Sequence, residues 1–240
     1  IESASETLQR IFDGHGSVLG SQMADESSRY DVLKKTDFPK PQRTRRIAVA
    51  NQKGGVGKTT STVNTAAALA NKGAQVLVID MDPQGNASTA LGVSHASGEP
   101  SVYDVIEGRS DLGDVITVCP DFPTLDVVPA SIDLSGAELE VADLPNRNTL
   151  LKEALDLYLR QSDKHYDYVF IDCPPSLGLL VINAMCAVTE MLIPIQAEYY
   201  ALEGLGQLIN TIGLVQEHFN PVLLVSTMLV TMFDLSLIHI

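Results

Sequence analysis

This 240-residue sequence has few cysteines, no long hydrophobic run, and no lysine or arginine after Lys164. Cys119, Cys173 and Cys186 are too few and too irregularly spaced for a disulfide framework or a zinc site, so we expect buried, reduced thiols. The longest apolar runs fall well short of the roughly 20 residues that a membrane-spanning helix needs. No basic segment followed by an apolar stretch indicates secretion. We therefore expect a cytoplasmic protein with no membrane partner.

Acidic residues outnumber basic ones, 30 to 16, which gives a formal net charge of -14. Residues 1–46 are nearly balanced, with eight basic and seven acidic residues, so the excess of negative charge lies in the rest of the chain. Binding to a nucleic-acid backbone relies on clustered lysines and arginines. The composition by itself therefore indicates no nucleic-acid-binding surface, while 45% hydrophobic residues are enough for a globular core.

Short β-branched runs alternate with longer helical patterns from residue 47 onwards. The strands predicted from these runs are residues 47–51, 75–80, 125–129, 168–172, 191–195 and 222–228, and the predicted helices are residues 58–72, 150–160, 179–188 and 202–219. This alternation is typical of βαβ units, so we predict an α/β fold with a doubly wound, mostly parallel sheet. Residues 1–46 lack a sustained apolar period and are expected to form a partly disordered extension, with a possible short helix at residues 5–12.

A glycine-rich segment joins the first predicted strand to the first predicted helix. Gly54, Gly55 and Gly57 let backbone N–H groups face a phosphate without interference from a Cβ atom. The helix that follows presents the positive end of its dipole to the same anion. Lys58 can then reach the β- and γ-phosphates of a nucleotide, and Thr59 places a hydroxyl where Mg²⁺ is usually held. We predict that ATP contacts the whole segment: Lys53, Gly54, Gly55, Val56, Gly57, Lys58, Thr59 and Thr60.

This segment departs from the strict P-loop pattern, which has glycine where this sequence has Gln52. A second lysine, Lys53, lies inside the loop instead. The alternative is a dinucleotide-binding fingerprint, because two of the glycines are followed by an acidic residue, Asp80, at about the right separation. That fingerprint needs a third glycine where Thr60 stands, and the lysine and threonine at the helix start suit a triphosphate with Mg²⁺ better. ATP with Mg²⁺ is therefore the favoured ligand.

Two predicted strands end in aspartate. Strand 75–80 ends at Asp80 and continues to Asp82, and strand 168–172 ends at Asp172. Ligands of open α/β sheets lie at the carboxyl ends of the strands, so these carboxylates can face the phosphate loop. An isolated aspartate at a strand end more often caps the next turn, but its combination with a phosphate loop favours a site.

The motifs together resemble those of the ParA family of partitioning ATPases. The loop with Lys53 is the deviant Walker A motif of the group that contains ParA, MinD and the nitrogenase iron protein. Residues 80–86 resemble the second ParA motif, and residues 171–175 resemble its Walker B strand. The resemblance covers residues 47–234 and implies a P-loop NTPase fold.

The resemblance also implies roles for individual residues. Lys53, Lys58 and Asp82 would be catalytic, with Asp82 orienting the attacking water. Thr59 and Asp172 would hold Mg²⁺. Because Lys53 would reach the nucleotide of a second chain, two chains would sandwich two ATP molecules, and ATP would control formation of the homodimer.

Partners follow from the resemblance rather than from composition. In the ParA family the ATP-bound dimer binds DNA without sequence preference, and a ParB-type centromere-binding protein stimulates hydrolysis and releases it. A nucleoid-associated protein that segregates a chromosome or plasmid is implied, although the charge balance indicates no DNA-binding surface. Two alternatives stay open: a MinD-like membrane-associated ATPase of the cell-division site, for which no basic amphipathic helix is visible, and a nucleotide-dependent switch that does not hydrolyse ATP.

The expected domain organisation has three parts. Residues 1–46 form the extension, residues 47–234 form the ATPase domain, and residues 235–240 form a tail unlike the family's continuation. ParA proteins continue well past the position of residue 234, so we expect the ATPase domain to be incomplete at its C-terminal end.

Overall fold

The computed structural model describes residues 18–36, 38–198 and 201–232, and the chain divides between Pro39 and Lys40 into two compact units. The first unit contains helix α1 (Val18–Lys35). The second contains β1 (Arg45–Val49), α2 (Lys58–Asn71), β2 (Val76–Asp80), α3 (Asn86–Ala90), α4 (Val102–Ile106), α5 (Leu112–Val115), β3 (Thr117–Val118), β4 (Leu125–Val128), a 3-10 helix (Ile132–Ser135), α6 (Ala137–Glu140), α7 (Leu150–Gln161), β5 (Tyr168–Asp172), α8 (Leu179–Ala187), β6 (Glu190–Gln196), α9 (Ala201–His218) and β7 (Leu224–Thr231).

The strands form one seven-stranded sheet in the order β3-β4-β2-β5-β1-β6-β7. Every neighbouring pair is parallel except β3 and β4, which are antiparallel. Alternate residues of β1 face opposite sides, so Ile47 and Val49 pack into one apolar cluster with α2, while Ala48 packs into another with α7 and α8. Because helices cover both faces, the central strands are apolar on both sides. The predicted α/β class with a doubly wound, mostly parallel sheet is confirmed.

All six predicted strands and all four predicted helices are present, with ends displaced by three residues or fewer. The sequence analysis missed β3 and the short helices between β2 and α7, because elements of two to five residues are too short to show a hydrophobic period. It also missed α1, an 18-residue helix within the extension that we expected to be partly disordered. The side chains of Tyr30, Val32 and Leu33 in α1 are exposed, so no buried apolar stripe marks the helix in the sequence.

Some expectations concern residues outside the described part of the chain. The possible helix at residues 5–12 and the tail at residues 235–240 both lie there, and the division of domains at residues 46 and 234 stays a prediction. The three cysteines are free and buried, as predicted. None of the helices within residues 18–36, 38–198 and 201–232 is long and apolar enough to cross a membrane.

Ion pairs gather near the amino ends of the parallel strands. They are Lys40–Asp167 at 3.2 Å, Arg45–Glu190 at 2.6 Å, Arg46–Asp156 at 2.5 Å and Lys164–Asp126 at 2.5 Å. Asp126 is almost fully buried, and its Oδ2 atom also accepts a hydrogen bond from the hydroxyl of Tyr166. This end of the sheet therefore matches each of these carboxylates with a positive charge.

Candidate functional site

The order of the central strands brings the motif residues to one edge of the sheet. Strand β5 lies between β1 and β2. Asp172 at the end of β5 is in register with Val49 of β1 on one side and with Asp80 of β2 on the other. The glycine-rich loop that follows β1 therefore starts beside Asp172, and Asp80 lies one strand further along the same edge.

Two glycines of the loop have backbone conformations that favour glycine. Gly55 has φ 73° and Gly57 has φ 90°, both in the left-handed region where a Cβ atom is strained. Helix α2 begins at the next residue, Lys58. A Cβ atom built on Gly54 or Gly55 would meet no protein atom within 4 Å, so the space beside these residues is open. The loop and the start of α2 thus surround a space that backbone N–H groups can line.

The side chain of Lys58 lies in the loop it follows. The residue is 7% exposed, and its Nζ atom donates a hydrogen bond of 3.2 Å to the carbonyl oxygen of Lys53. Burial lowers the pKa of the Lys58 ammonium group, and the nearby charge of Asp172 partly offsets this. An anion beside Lys58 would favour its charged form.

Asp172 is buried beneath the first turn of α2. Its Oδ2 atom accepts a hydrogen bond of 2.7 Å from the hydroxyl of Thr59, and its Oδ1 atom accepts one of 2.9 Å from Thr62. Burial raises the pKa of Asp172 to about 7, even though the bond from Thr59 lowers it, and the charges of Asp80 and Asp82 raise it further. Burial therefore disfavours the ionised form of this carboxylate, and a cation beside it would favour that form.

The sequence analysis did not single out Thr62. It lies three residues after Thr59 on α2, and this spacing puts both hydroxyls on one face of the helix. Thr62 also donates to the carbonyl oxygen of Lys58 at 3.0 Å. Thr62 could have been identified from the sequence, because it is a polar residue on an otherwise buried face of α2 and lies three residues after Thr59.

Asp80 supports the segment that follows β2. It is fully buried, and burial raises its pKa although hydrogen bonds from Ser88 lower it. Its Oδ2 atom accepts bonds from the backbone N–H and the hydroxyl of Ser88, at 2.8 Å and 2.7 Å, and its Oδ1 atom accepts one of 3.1 Å from the N–H of Asp82. Asp80 therefore ties the start of the turn at Asp82 to helix α3.

Asp82 begins a tight turn at the mouth of the site. Its backbone carbonyl accepts a hydrogen bond of 2.9 Å from the N–H of Gly85, and its Oδ1 atom accepts one of 3.0 Å from the N–H of Gln84. The residue is 8% exposed. One hydrogen bond within the turn thus orients the carboxylate, and the other holds the backbone that carries it.

A cleft of about 520 Å³ lies between the glycine-rich loop and the turn at Asp82. Its lining residues are Gly54, Gly55, Gly57, Lys58, Thr59, Thr60, Asp82, Gln84, Asn86, Pro175 and Met232. The cleft therefore brings together six residues of the predicted loop and Asp82. Val56 is buried instead, and its carbonyl oxygen accepts a hydrogen bond of 2.9 Å from Thr231 at the end of β7.

Lys53 is held by residues of its own chain. Its Nζ atom forms an ion pair of 2.6 Å with Glu198 and donates to the side-chain oxygen of Gln196 at 3.1 Å. Both partners lie at the carboxyl end of β6 or just after it. Lys53 is therefore not among the residues that line the cleft, and its pair with Glu198 has side chains that are 38% and 48% exposed.

Comparison with known proteins gives consistent matches. A family model described as an AAA domain matches residues 44–225. The chain is 50% identical over 188 residues to the sporulation initiation inhibitor protein Soj of Bacillus subtilis strain 168, covering 78% of this chain and 72% of that protein. It is 46% identical to the chromosome partitioning protein ParA of Caulobacter vibrioides strain NA1000 / CB15N, covering 78% and 69% of the two chains.

A solved structure with the same fold contains a bound nucleotide. It is the cobyrinic acid a,c-diamide synthase of Mycobacterium smegmatis with bound ADP and magnesium, which is 39% identical and has a TM-score of 0.74, covering 80% of this chain and 76% of that chain. The parallel sheet, the deviant phosphate loop and the partition-protein relatives all indicate the same family. This chain belongs to the ParA/Soj family of P-loop chromosome-partitioning ATPases.

Proposed function

We propose that this protein binds ATP with Mg²⁺ in the cleft and hydrolyses it to ADP and phosphate, in a cycle that drives chromosome or plasmid segregation. The observation that carries the proposal is the meeting, at one sheet edge, of an open glycine loop, Lys58, the Thr59–Asp172 pair and Asp82. Phosphoryl transfer needs mainly positioning and charge compensation, and this set of groups can supply both.

The loop suits the phosphates of a nucleotide. The space beside Gly54 and Gly55 is open, and the N-terminal end of the 14-residue helix α2 points into the cleft. Lys58 would exchange its bond to the carbonyl of Lys53 for the β- and γ-phosphates. Loop N–H groups and one ammonium group would then hold the phosphates, and their negative charge would reverse the effect of burial on Lys58.

The oxygen atoms of Thr59 and Asp172 suit Mg²⁺. The ion is usually held by one or two protein oxygens together with phosphates and waters. The Thr59 hydroxyl is 2.7 Å from the Asp172 carboxylate, and the other oxygen of that carboxylate stays bound to Thr62. Bound Mg²⁺ supplies charge neutralisation at the phosphoryl oxygens. It would also favour the ionised form of Asp172, which burial disfavours.

Asp82 and Lys53 are proposed to complete the reaction. The Asp82 carboxylate, oriented by its turn at the cleft, would position the attacking water. Lys53 would leave Glu198 and reach the nucleotide of a second chain, so that two chains enclose two ATP molecules. The exposure of the Lys53–Glu198 pair supports this exchange, because an exposed ion pair contributes little free energy.

The cellular part of the proposal rests on the partition-protein relatives. We propose that the ATP-bound dimer binds DNA without sequence preference in the cytoplasm and associates with the nucleoid. A ParB-type protein bound at centromere-like sites would stimulate hydrolysis and return the protein to its monomeric state.

The test measures ATP turnover and assembly together. We expect Mg²⁺-dependent release of phosphate that rises when DNA and a ParB-type protein are both present, and an ATP-dependent dimer in light scattering. Lys53→Ala should bind ATP as a monomer and form no dimer. ATP binding and dimer formation without phosphate release under any condition would identify a non-hydrolysing switch, and an absence of Mg²⁺-dependent nucleotide binding would refute the proposal.

A further inference from the structure

The side chain of His95 lies directly against the last residue of the Asp82 turn. A Cβ atom built on Gly85 would be 2.5 Å from Nδ1 and 2.7 Å from Cε1 of the His95 ring, which is closer than any real contact of that kind. Gly85 also has φ 63°, in the left-handed region. The ring therefore occupies the space that any other residue at position 85 would fill.

A second contact fixes the ring of His95. Its Nε2 atom is 2.8 Å from the hydroxyl oxygen of Thr89, in helix α3. The backbone N–H of Thr89 in turn donates a hydrogen bond of 2.9 Å to the carbonyl oxygen of Gly85. The imidazole ring thus bridges the start and the end of the first turn of α3, where the Asp82 turn joins the helix.

The loop that carries His95 is itself anchored on both sides. Before it, the N–H of Val93 donates to the carbonyl oxygen of Ser88 at 3.0 Å. After it, the hydroxyl of Ser97 and the N–H of Gly98 donate to the carboxylate of Asp133 at 2.9 Å and 3.1 Å. These bonds hold the ring against Gly85 from a fixed support.

We propose that His95 is a positioning residue for Asp82. The carboxylate of Asp82 accepts a hydrogen bond from the N–H of Gln84, within a turn that closes where the N–H of Gly85 donates to the Asp82 backbone carbonyl. A displacement of Gly85 therefore changes the direction of that carboxylate. The inference rests on the proposed function, because it requires that Asp82 act in hydrolysis.

The first experiment separates turnover from nucleotide affinity. His95→Ala is expected to lower kcat by about 10- to 100-fold, since a misplacement of about 1 Å can cost about 100-fold. The Kd for ATP should stay within about twofold, because His95 is not one of the residues that line the cleft. His95→Gln should restore part of kcat, because its amide group can still bond to Thr89. His165→Ala, which changes an exposed histidine near the other end of the sheet, is the control.

A cycle of single and double substitutions tests whether positions 85 and 95 act together. Gly85→Ala should reduce kcat strongly in the parent, where the added methyl group collides with the ring. In a His95→Ala background the same change should have a smaller further effect, because the collision is gone and only the backbone strain at φ 63° remains. Strongly non-additive effects on kcat, with melting curves that show folded protein, would support the inference.

Other outcomes would overturn it. A parental kcat in His95→Ala together with an inactive Asp82→Ala would refute the role of His95 and leave the proposed function standing. Additive effects of the two changes at positions 85 and 95 would also refute it. A parental rate in Asp82→Ala would remove the role of Asp82, and the role of His95 with it.

Discussion

The carboxylates at the two ends of the parallel sheet have different kinds of partner. At the amino end, the carboxylates of Asp126, Asp156 and Glu190 each form an ion pair with a lysine or arginine at 2.5 to 2.6 Å. At the carboxyl end, the carboxylates of Asp80 and Asp172 accept hydrogen bonds from hydroxyl and backbone N–H groups. The carboxylates at the amino end are neutralised by cations of the protein, whereas Asp80 and Asp172 at the carboxyl end have only neutral hydrogen-bond donors within the described part of the chain.

This difference distinguishes carboxylates that stabilise the fold from carboxylates that belong to the candidate site. A buried carboxylate with a cationic partner has its charge neutralised in the folded chain. Removal of one partner leaves the other charge buried without a partner, which destabilises the fold. A buried carboxylate held by neutral donors keeps a raised pKa, as Asp80 and Asp172 do. Carboxylates with such raised pKa values, buried beside the phosphate loop, are characteristic of functional sites.

The largest effect is expected from removal of Lys58, the cation beside the phosphate loop at the carboxyl end of the sheet. Lys58→Ala should weaken ATP binding by on the order of 100-fold or more, because hydrogen bonds to charged groups contribute about 1.5–3 kcal/mol each and Lys58 is proposed to make two. Lys164→Ala, which removes a cation from the amino end, should leave ATP affinity unchanged. Isothermal titration calorimetry with Mg²⁺ measures both, and equal losses in the two variants would contradict the comparison.

The next effect concerns the carboxylate at the mouth of the cleft. Asp82→Ala should lower the rate of phosphate release by roughly 100- to 10,000-fold, the usual contribution of a group that handles the proton or water. Nucleotide binding and ATP-dependent dimerisation should persist, since neither depends on that carboxylate. A phosphate-release assay combined with light scattering checks this, and a parental rate of hydrolysis would show that the assigned role is wrong.

A smaller effect compares the same substitution at the two ends. Asp172→Asn should raise the melting temperature of the nucleotide-free protein at pH 8, while Asp126→Asn should lower it by breaking the pair with Lys164. Each change is expected to be about 1 kcal/mol in the free energy of unfolding, or about 2–4 °C. Thermal melts without nucleotide measure both, and shifts of the same sign would contradict the comparison.

The effect of Asp172 should depend on pH in a defined direction. Its pKa of about 7 in the folded protein lies above the value near 3.9 of an unfolded chain. The folded protein therefore binds the proton more tightly, so this residue stabilises the fold below about pH 4 and that contribution is lost as the pH rises through about 7. The difference in melting temperature between Asp172→Asn and the parent should grow over that interval and level off above it.

The smallest expected effect involves an ion pair at each end. Glu198→Gln releases Lys53 at the carboxyl end and should change the free energy of unfolding by less than about 0.5 kcal/mol, because the pair is exposed. Arg46→Gln breaks a pair with Asp156 in which both side chains are about one quarter exposed, and it should cost more, about 1 kcal/mol. Denaturant unfolding measures both, and a larger cost for Glu198→Gln would reverse the assignment.

The sequence predicted the main elements and the candidate site because their signals are local. The strand ending at Asp172 was predicted with its observed bounds, and the helix starting at Lys58 was predicted from its first residue. Helix α1 was missed because its described apolar side chains face solvent, so its sequence shows no repeating apolar face. Thr62 and His95 were missed because their roles come from contacts with residues distant along the chain or across a loop.

The sequence by itself determined which groups are available: a flexible glycine loop with two lysines, and aspartates at the ends of apolar strands. These features follow from local backbone preferences and from the hydrophobic pattern, which each segment carries alone. Only the tertiary structure decided that β5 lies between β1 and β2, that Asp172 is buried against Thr59 and Thr62, and that Lys53 pairs with Glu198. The physical reason is that strand order and burial depend on packing between distant segments, and burial sets the charge state of a carboxylate.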